Sequence, residues 1–275
     1  MITARDLLLR GLLAGLLAGL AAFAVAFVVG EPSLSAAIAY EEANSPSVEE
    51  AAPVEEAAPV EEGVHTHEDG TAHSHADGGT TEVPRSLQAT AGLLTATVVA
   101  GTTLGGLVGV LSALALGRFG RLGPRGVPLL VAGSGFVAVY LMPFLTYPPN
   151  PPAVGSPDTV GYRTALYFLL VAISLVAGVT AVLLARRLAE RWGAWYAILA
   201  AGAGYLAVVL VAGALMPTYA EVPADFSAEV LYAFRRGSLL TQLALWGVLG
   251  LVLAELTHRS ATRRRTMPAM AGSAA

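Results

Sequence analysis

Apolar residues in this chain gather into six long runs, and four of the five breaks between them are short. The runs cover about Leu7 to Val29, Leu87 to Leu116, Val127 to Tyr147, Leu166 to Ala185, Trp195 to Met216 and Leu239 to Leu256. Each approaches or exceeds the roughly 20 residues that a helix needs to cross a hydrocarbon core about 30 Å thick. The second is longer than one span requires, which puts its first turns in the interface or tilts it. The expected fold is an all-α integral membrane protein of about six transmembrane helices. Residues 1–30 hold the first helix and 31–86 form an acidic, mostly disordered external loop bearing proline and histidine. Residues 87–257 form a five-helix membrane domain, and 258–275 a basic cytoplasmic tail.

Composition agrees with the pattern. The chain has 275 residues, of which 55% are hydrophobic and only 13% charged. All 16 basic residues are arginine, and the net charge of -4 comes from acids concentrated in the long break, so a nucleic-acid partner is not expected. With no cysteine, disulfides, thiolate metal sites and cysteine nucleophiles are excluded. If the N-terminus is cytoplasmic, twelve arginines lie inside, including Arg118, Arg121, Arg125, Arg186, Arg187 and Arg191 in short hinges. Four lie outside: Arg85, Arg163, Arg235 and Arg236. Basic residues near span ends set topology, so both termini are expected in the cytoplasm and the long loop outside. The first run also has an alternative reading as a cleaved signal peptide; its length, beyond the usual 7 to 15 residue apolar core, favours retention.

The long loop carries the densest candidate chemistry. Residues 49–62 repeat as EEAAPVEEAAPVEE, where proline and paired glutamates favour an extended spacer over a folded unit. His65, His67, His73 and His75 follow within eleven residues, with Glu68, Asp69 and Asp77 beside them. Imidazole is the commonest side-chain ligand of divalent transition metals, and neighbouring carboxylates attract cations. This cluster is the expected metal-capture site, although such an open set of ligands does not select one metal. For the carboxylates, a purely solubilising role is an equal alternative.

Inside the membrane part, Gly133-Ser-Gly-Phe-Val-Ala-Val-Tyr-Leu recurs 69 residues later as Gly202-Ala-Gly-Tyr-Leu-Ala-Val-Val-Leu. A Met-Pro pair follows each copy, Met142-Pro143 and Met216-Pro217. We read this as an internal repeat of two-helix units, about 87–147 and 166–217; the bland alternative is glycine and alanine recurring in membrane helices. Transporter repeats place substrate at their shared interface, so Met142, Pro143, Met216, Pro217 and Ser134 are candidate pathway residues. Gly101, Gly105, Gly106, Gly109, Gly133, Gly135, Gly202 and Gly204 are expected to let helices approach closely.

The external loop YPPNPPAVGSPDTVGYRT, residues 147–164, adds Asn150, Asp158 and Arg163 as candidates. Tyr147, Pro148, Asn150, Pro151, Pro152, Gly155, Pro157, Thr159, Arg163 and Thr164 stand where the CbtA family of cobalt transporter subunits carries a matching outside segment. The histidine-bearing first loop and the late Met-Pro followed by Phe226 to Arg236 extend the resemblance over nearly the whole chain. The resemblance implies a bacterial inner-membrane protein that imports cobalt for corrinoid synthesis beside a small single-span, histidine-bearing partner of the CbtB type. Family members are commonly described with five spans, against six read here. Cobalt(II) is thus the expected substrate, no permanently bound cofactor is expected, and the bilayer is the first partner, with homo-oligomerisation left open. No P-loop, GxSxG or HExxH motif occurs, so neither ATP hydrolysis nor catalysis is expected. A membrane metal sensor or metallochaperone for nickel, zinc, copper or cobalt is the alternative reading.

Overall fold

The computed structural model describes residues 3–44, 83–118 and 122–272. Among them, five helices are long and apolar enough to cross a membrane. We label them α1 (Ala4–Asn44), α2 (Arg85–Ala115), α3 (Gly126–Thr146), α4 (Pro157–Leu215) and α5 (Ala228–Gly272). At 1.5 Å per residue, the 59 residues of α4 would reach about 90 Å, three times the hydrocarbon thickness. Gly193 resolves this with φ 79° and ψ 159°, a backbone state open chiefly to glycine. The arms 157–192 and 194–215 fold back antiparallel: Leu170 shares a cluster with Val209, and the Ser174 and Tyr205 hydroxyls lie 2.8 Å apart. Five continuous helices therefore supply six apolar crossings. The sequence placed the turn at Arg186 to Arg191, but those helix-favouring residues continue the first arm as far as Gly193.

The longest interhelical seam joins α1 to α2 through glycines. A side-chain carbon built on Gly11, Gly15, Gly101, Gly105 or Gly109 would overlap backbone atoms of the facing helix. Lipid tails give two apolar helices no hydrophobic reason to associate, so close backbone contact supplies the attraction instead. Gly11, Gly15 and Gly19 recur every fourth residue, as do Gly101, Gly105 and Gly109, which keeps each set on one face. Against these seams pack Leu7, Ala14, Ala18 and Ala22 of α1, Val108 of α2, Ala132 of α3 and Leu245, Trp246, Leu249 and Leu253 of α5.

The helix pairing differs from two equivalent hairpins. Span two lies chiefly on α1, while span three lies chiefly on α5, because the interlocking glycines are in α1 and α2. Only spans four and five, the arms of α4, form a closed hairpin, and that hairpin reaches the rest of the bundle through α3. The expected close-packing role also fails at Gly133, Gly202 and Gly204, where an added side chain would meet open space. Gly135, in contrast, receives the Trp246 ring.

A second difference concerns residues 31–44, expected as loop. They continue α1 as a helix beyond a π-helical turn at Ala26–Gly30, and Ala37 is fully buried against Val154 and Phe226. Proline at 32 is tolerated because it stands near the start of this segment, where the wider turn already interrupts the hydrogen-bond ladder. Residues 45–82 of the acidic loop, including the EEAAPV repeat, lie outside the described residues, and its last two, Arg85 and Ser86, already belong to α2.

Candidate functional site

The histidine cluster and its neighbours, His65, His67, His73, His75, Glu68, Asp69 and Asp77, lie outside the described residues; the two roots of their loop do not. Its first root is the end of α1, where Tyr40 packs edge-on to Phe226 at 5.0 Å between ring centres. Its second root is Val83, just before Arg85, and Arg85 pairs with Glu31 of α1. The first root thus lies against the loops that close this end of the bundle, and the second is held to α1 by the Arg85–Glu31 pair.

Those loops are 147–156, between α3 and α4, and 216–227, between α4 and α5. Ala153 (φ 65°) and Gly155 (φ 116°) turn the first loop sharply, and the Arg163 guanidinium occupies the space where a side chain on Gly155 would stand. Ser156 caps α4, its Oγ accepting from the Asp158 amide at 3.3 Å. Glu221 of the second loop clasps the first: it accepts from the Ser156 amide at 2.9 Å and the Thr159 hydroxyl at 3.0 Å, with Arg163 at 3.5 Å. The Ser156 amide, then the Thr159 hydroxyl, and also the Arg163 charge hold the Glu221 carboxyl below its ordinary value, outweighing desolvation. Arg235 of α5 donates to Asn150 Oδ1 at 2.8 Å and to the Pro149 carbonyl at 3.4 Å, while the Tyr147 hydroxyl donates to the Pro217 carbonyl at 2.8 Å. The residues that define the proline-rich motif are therefore the ones that lock two loops into a cap.

This arrangement gives Asn150 and Arg163 identifiable structural roles. Asp158 stands exposed in the first turn of α4, where a carboxylate complements the helix dipole. Glu221 and Arg235, the centres of the cap, were not singled out from sequence. Their available signal was an acid in one outer loop and arginines bordering the other, a pattern that does not specify pairing across 65 and 85 residues.

Beneath the cap, the two Met-Pro pairs have different backbone settings. Pro143 lies within α3, and the helix tolerates it because residues 136–141 widen into a π-helical turn. The Val139 carbonyl, four residues before this proline and thus deprived of its usual donor, receives a long 3.5 Å hydrogen bond from Tyr167. Met216 instead ends α4 in an extended conformation, and Pro217 lies in the cap. Met142 and Met216 nevertheless belong to one apolar cluster with Leu170, Ala177, Val209 and Tyr205. Ser134 does not join it: its side chain is exposed and donates to the Val131 carbonyl at 3.1 Å.

Between α3 and α5, the Tyr140 and Ser238 hydroxyls lie 2.8 Å apart. On the same pair of helices the Trp246 ring packs against Gly135. At the opposite end of the bundle, Glu255 lies between Arg125 at 2.8 Å and Arg259 at 2.7 Å. Among the described residues, no three or more histidine and carboxylate side chains are grouped to hold a metal ion.

Helices of this length and apolarity, joined by glycine seams and closed by short polar caps, define an all-α integral membrane protein. A family model described as "Probable cobalt transporter subunit (CbtA)" matches residues 4–258, nearly the whole chain. The chain belongs to the CbtA family. Comparisons with curated proteins and with solved structures found no match.

Proposed function

We propose that this protein is the membrane subunit of a divalent cobalt importer in the bacterial cytoplasmic membrane. The histidine loop gathers the ion outside, and the helix bundle passes it inward, supplying corrinoid synthesis. Both termini face the cytoplasm, as the arginine distribution favours. The observation that carries the reading is the packing of the first root of the histidine loop against the cap formed by residues 147–156 and 216–227, with the second root paired to the same helix, α1. Ions held on the tether are concentrated at that face. Cobalt is substrate, and the chain is a transport subunit rather than an enzyme. A small single-span, histidine-bearing protein of the CbtB type completes the transporter. The membrane potential favours entry of a cation by about 2.3 kcal/mol per charge per 100 mV.

Radiolabelled cobalt uptake at limiting metal tests the loop. Deleting residues 64–76 leaves the described helices untouched and is expected to lower uptake severalfold, while excess cobalt restores it. Unchanged uptake at limiting metal overturns the capture role. A second reading, a metal-binding sensor or metallochaperone, is favoured by two observations: arginines Arg163 and Arg235 stand at the outer end, and Trp246 fills the bundle below Tyr140. Proteoliposomes separate the readings. Uptake by the chain alone or with its small partner supports transport, whereas tight cobalt binding without uptake in either case supports the second reading.

A further inference from the structure

Arg10 is a cation at the edge of an apolar core. It lies one turn from Leu7 and one turn from Ala14, which are buried with Leu249 and Leu253 of α5. Its depth follows from its neighbour: Gly11 packs against Gly105 and Gly109, and α2 continues for six further residues to Ala115. Arg10 is therefore well inside the helical layer, about 9 Å from that end of α2 at 1.5 Å per residue. Its Nη1 is buried with no hydrogen-bond partner, and it forms no ion pair among the described residues. One turn nearer the same end of α2 than Gly109, the Ser112 hydroxyl is also fully buried and without a partner.

The other charges at this end have different settings. Glu255 is engaged by Arg125 and Arg259, and Asp6 forms the capping box with Thr3. Arg5 is exposed at the start of α1. Leaving a guanidinium nitrogen both buried and unpaired is costly, and an ionisable group at membrane depth calls for a named partner. Arg10 as a whole residue is only partly buried, so its side chain meets the protein surface beside the buried nitrogen. A planar guanidinium with several fixed donors suits the oxygens of a phosphate, and anionic phospholipids present phosphates at the membrane interface, toward which a long arginine side chain reaches from within the layer.

We propose that Arg10 binds the phosphate group of an anionic phospholipid at the end of the bundle that carries both chain termini. The inference rests on the orientation proposed above only in naming this the cytoplasmic leaflet; neither cobalt nor transport enters it. The full-length chain in neutral micelles, titrated with phosphatidylglycerol or phosphatidylcholine and read by native mass spectrometry, tests it. Wild type is expected to retain phosphatidylglycerol about fivefold more tightly, the ratio one basic side chain supplies beside an anionic surface. Arg10→Gln removes that preference, Arg10→Lys keeps part of it, and Arg5→Gln keeps it. Inorganic phosphate at millimolar concentration forms the second arm: competition assigns recognition to the phosphate alone, and its absence assigns it to the intact lipid. An unchanged preference in Arg10→Gln, or an equal loss in Arg5→Gln, overturns the site in favour of diffuse surface attraction. Circular dichroism of each variant separates loss of binding from loss of fold, and cobalt uptake can fail without affecting the result.

Discussion

Replacing Gly105 with alanine adds one methyl group at the centre of the α1–α2 seam. The new carbon would overlap the Gly11 carbonyl oxygen and lie 2.6 Å from the Gly15 Cα and 2.7 Å from its nitrogen. Ordinary contact begins near 3.4 Å, so the shortfall is 0.8 Å at Gly15, and the obstruction is backbone rather than a side chain able to rotate away. The helices must part by about 1 Å, a gap that forfeits a quarter to a half of each dispersion contact along the seam. Overpacking of this kind costs about 1–3 kcal/mol, against which the better helix propensity of alanine returns at most about 1 kcal/mol. Gly204→Ala is the matched control, because an added carbon there has nothing within 4 Å. Unfolding in mixed micelles, followed by tryptophan fluorescence, should show Gly105→Ala melting several degrees below wild type, at about 2–4 °C per kcal/mol for a chain of this size. Gly204→Ala should match wild type or exceed it slightly. Equal melting temperatures for the two variants would refute the claim that backbone contact, rather than general small-residue content, joins α1 to α2.

The cap and the α4 break supply further tests. The Glu221 carboxyl is held below its ordinary value of 4.5, so its contribution to stability is present above that pH and is lost as pH falls through the lower folded value. Protection against hydrogen exchange in loops 147–156 and 216–227, taken relative to the intrinsic rate at each pH, should fall on acidification below pH 4.5 in wild type; Glu221→Gln should be less protected at neutral pH and lose that dependence. A pH response in the variant equal to that of wild type rejects Glu221 as the clasp. Gly193→Ala imposes a left-handed backbone on a residue with a Cβ and should destabilise the chain by about 1–2 kcal/mol in chemical unfolding, while Gly161→Ala, in open space within the first arm, should not.

Much of the membrane part was legible because a bilayer leaves few options. Runs of apolar residues must become helices, since unpaired backbone groups are not tolerated in lipid, and six such runs give six crossings. Their ends were less legible. The arginines at 186–191 mark an interfacial zone, yet arginine is a good helix former, and only the backbone angle at Gly193 reveals where the chain turns. Similarly, residues 31–44 have too few apolar residues to announce a span; their helix is stabilised by Ala37 and Tyr40 meeting Phe226, almost two hundred residues away. Glycine counts pointed to close packing without distinguishing Gly105, which has a partner, from Gly202, which does not.

The sequence by itself determined the class of protein, the chemical character of the histidine loop and the motif that resembles the CbtA family. These rest on local quantities: apolar length, ligand type and residue order. Only the tertiary structure decided that Asn150, Arg163, Glu221 and Arg235 form a cap, that Met142 and Met216 share a cluster while Ser134 faces outward, and that Arg10 Nη1 is buried without a partner among the described residues. Each of those properties depends on which helix faces which. That choice is made by backbone contact at the α1–α2 glycines and by hydrogen bonds between loops far apart in sequence, neither of which leaves a periodic trace along the chain.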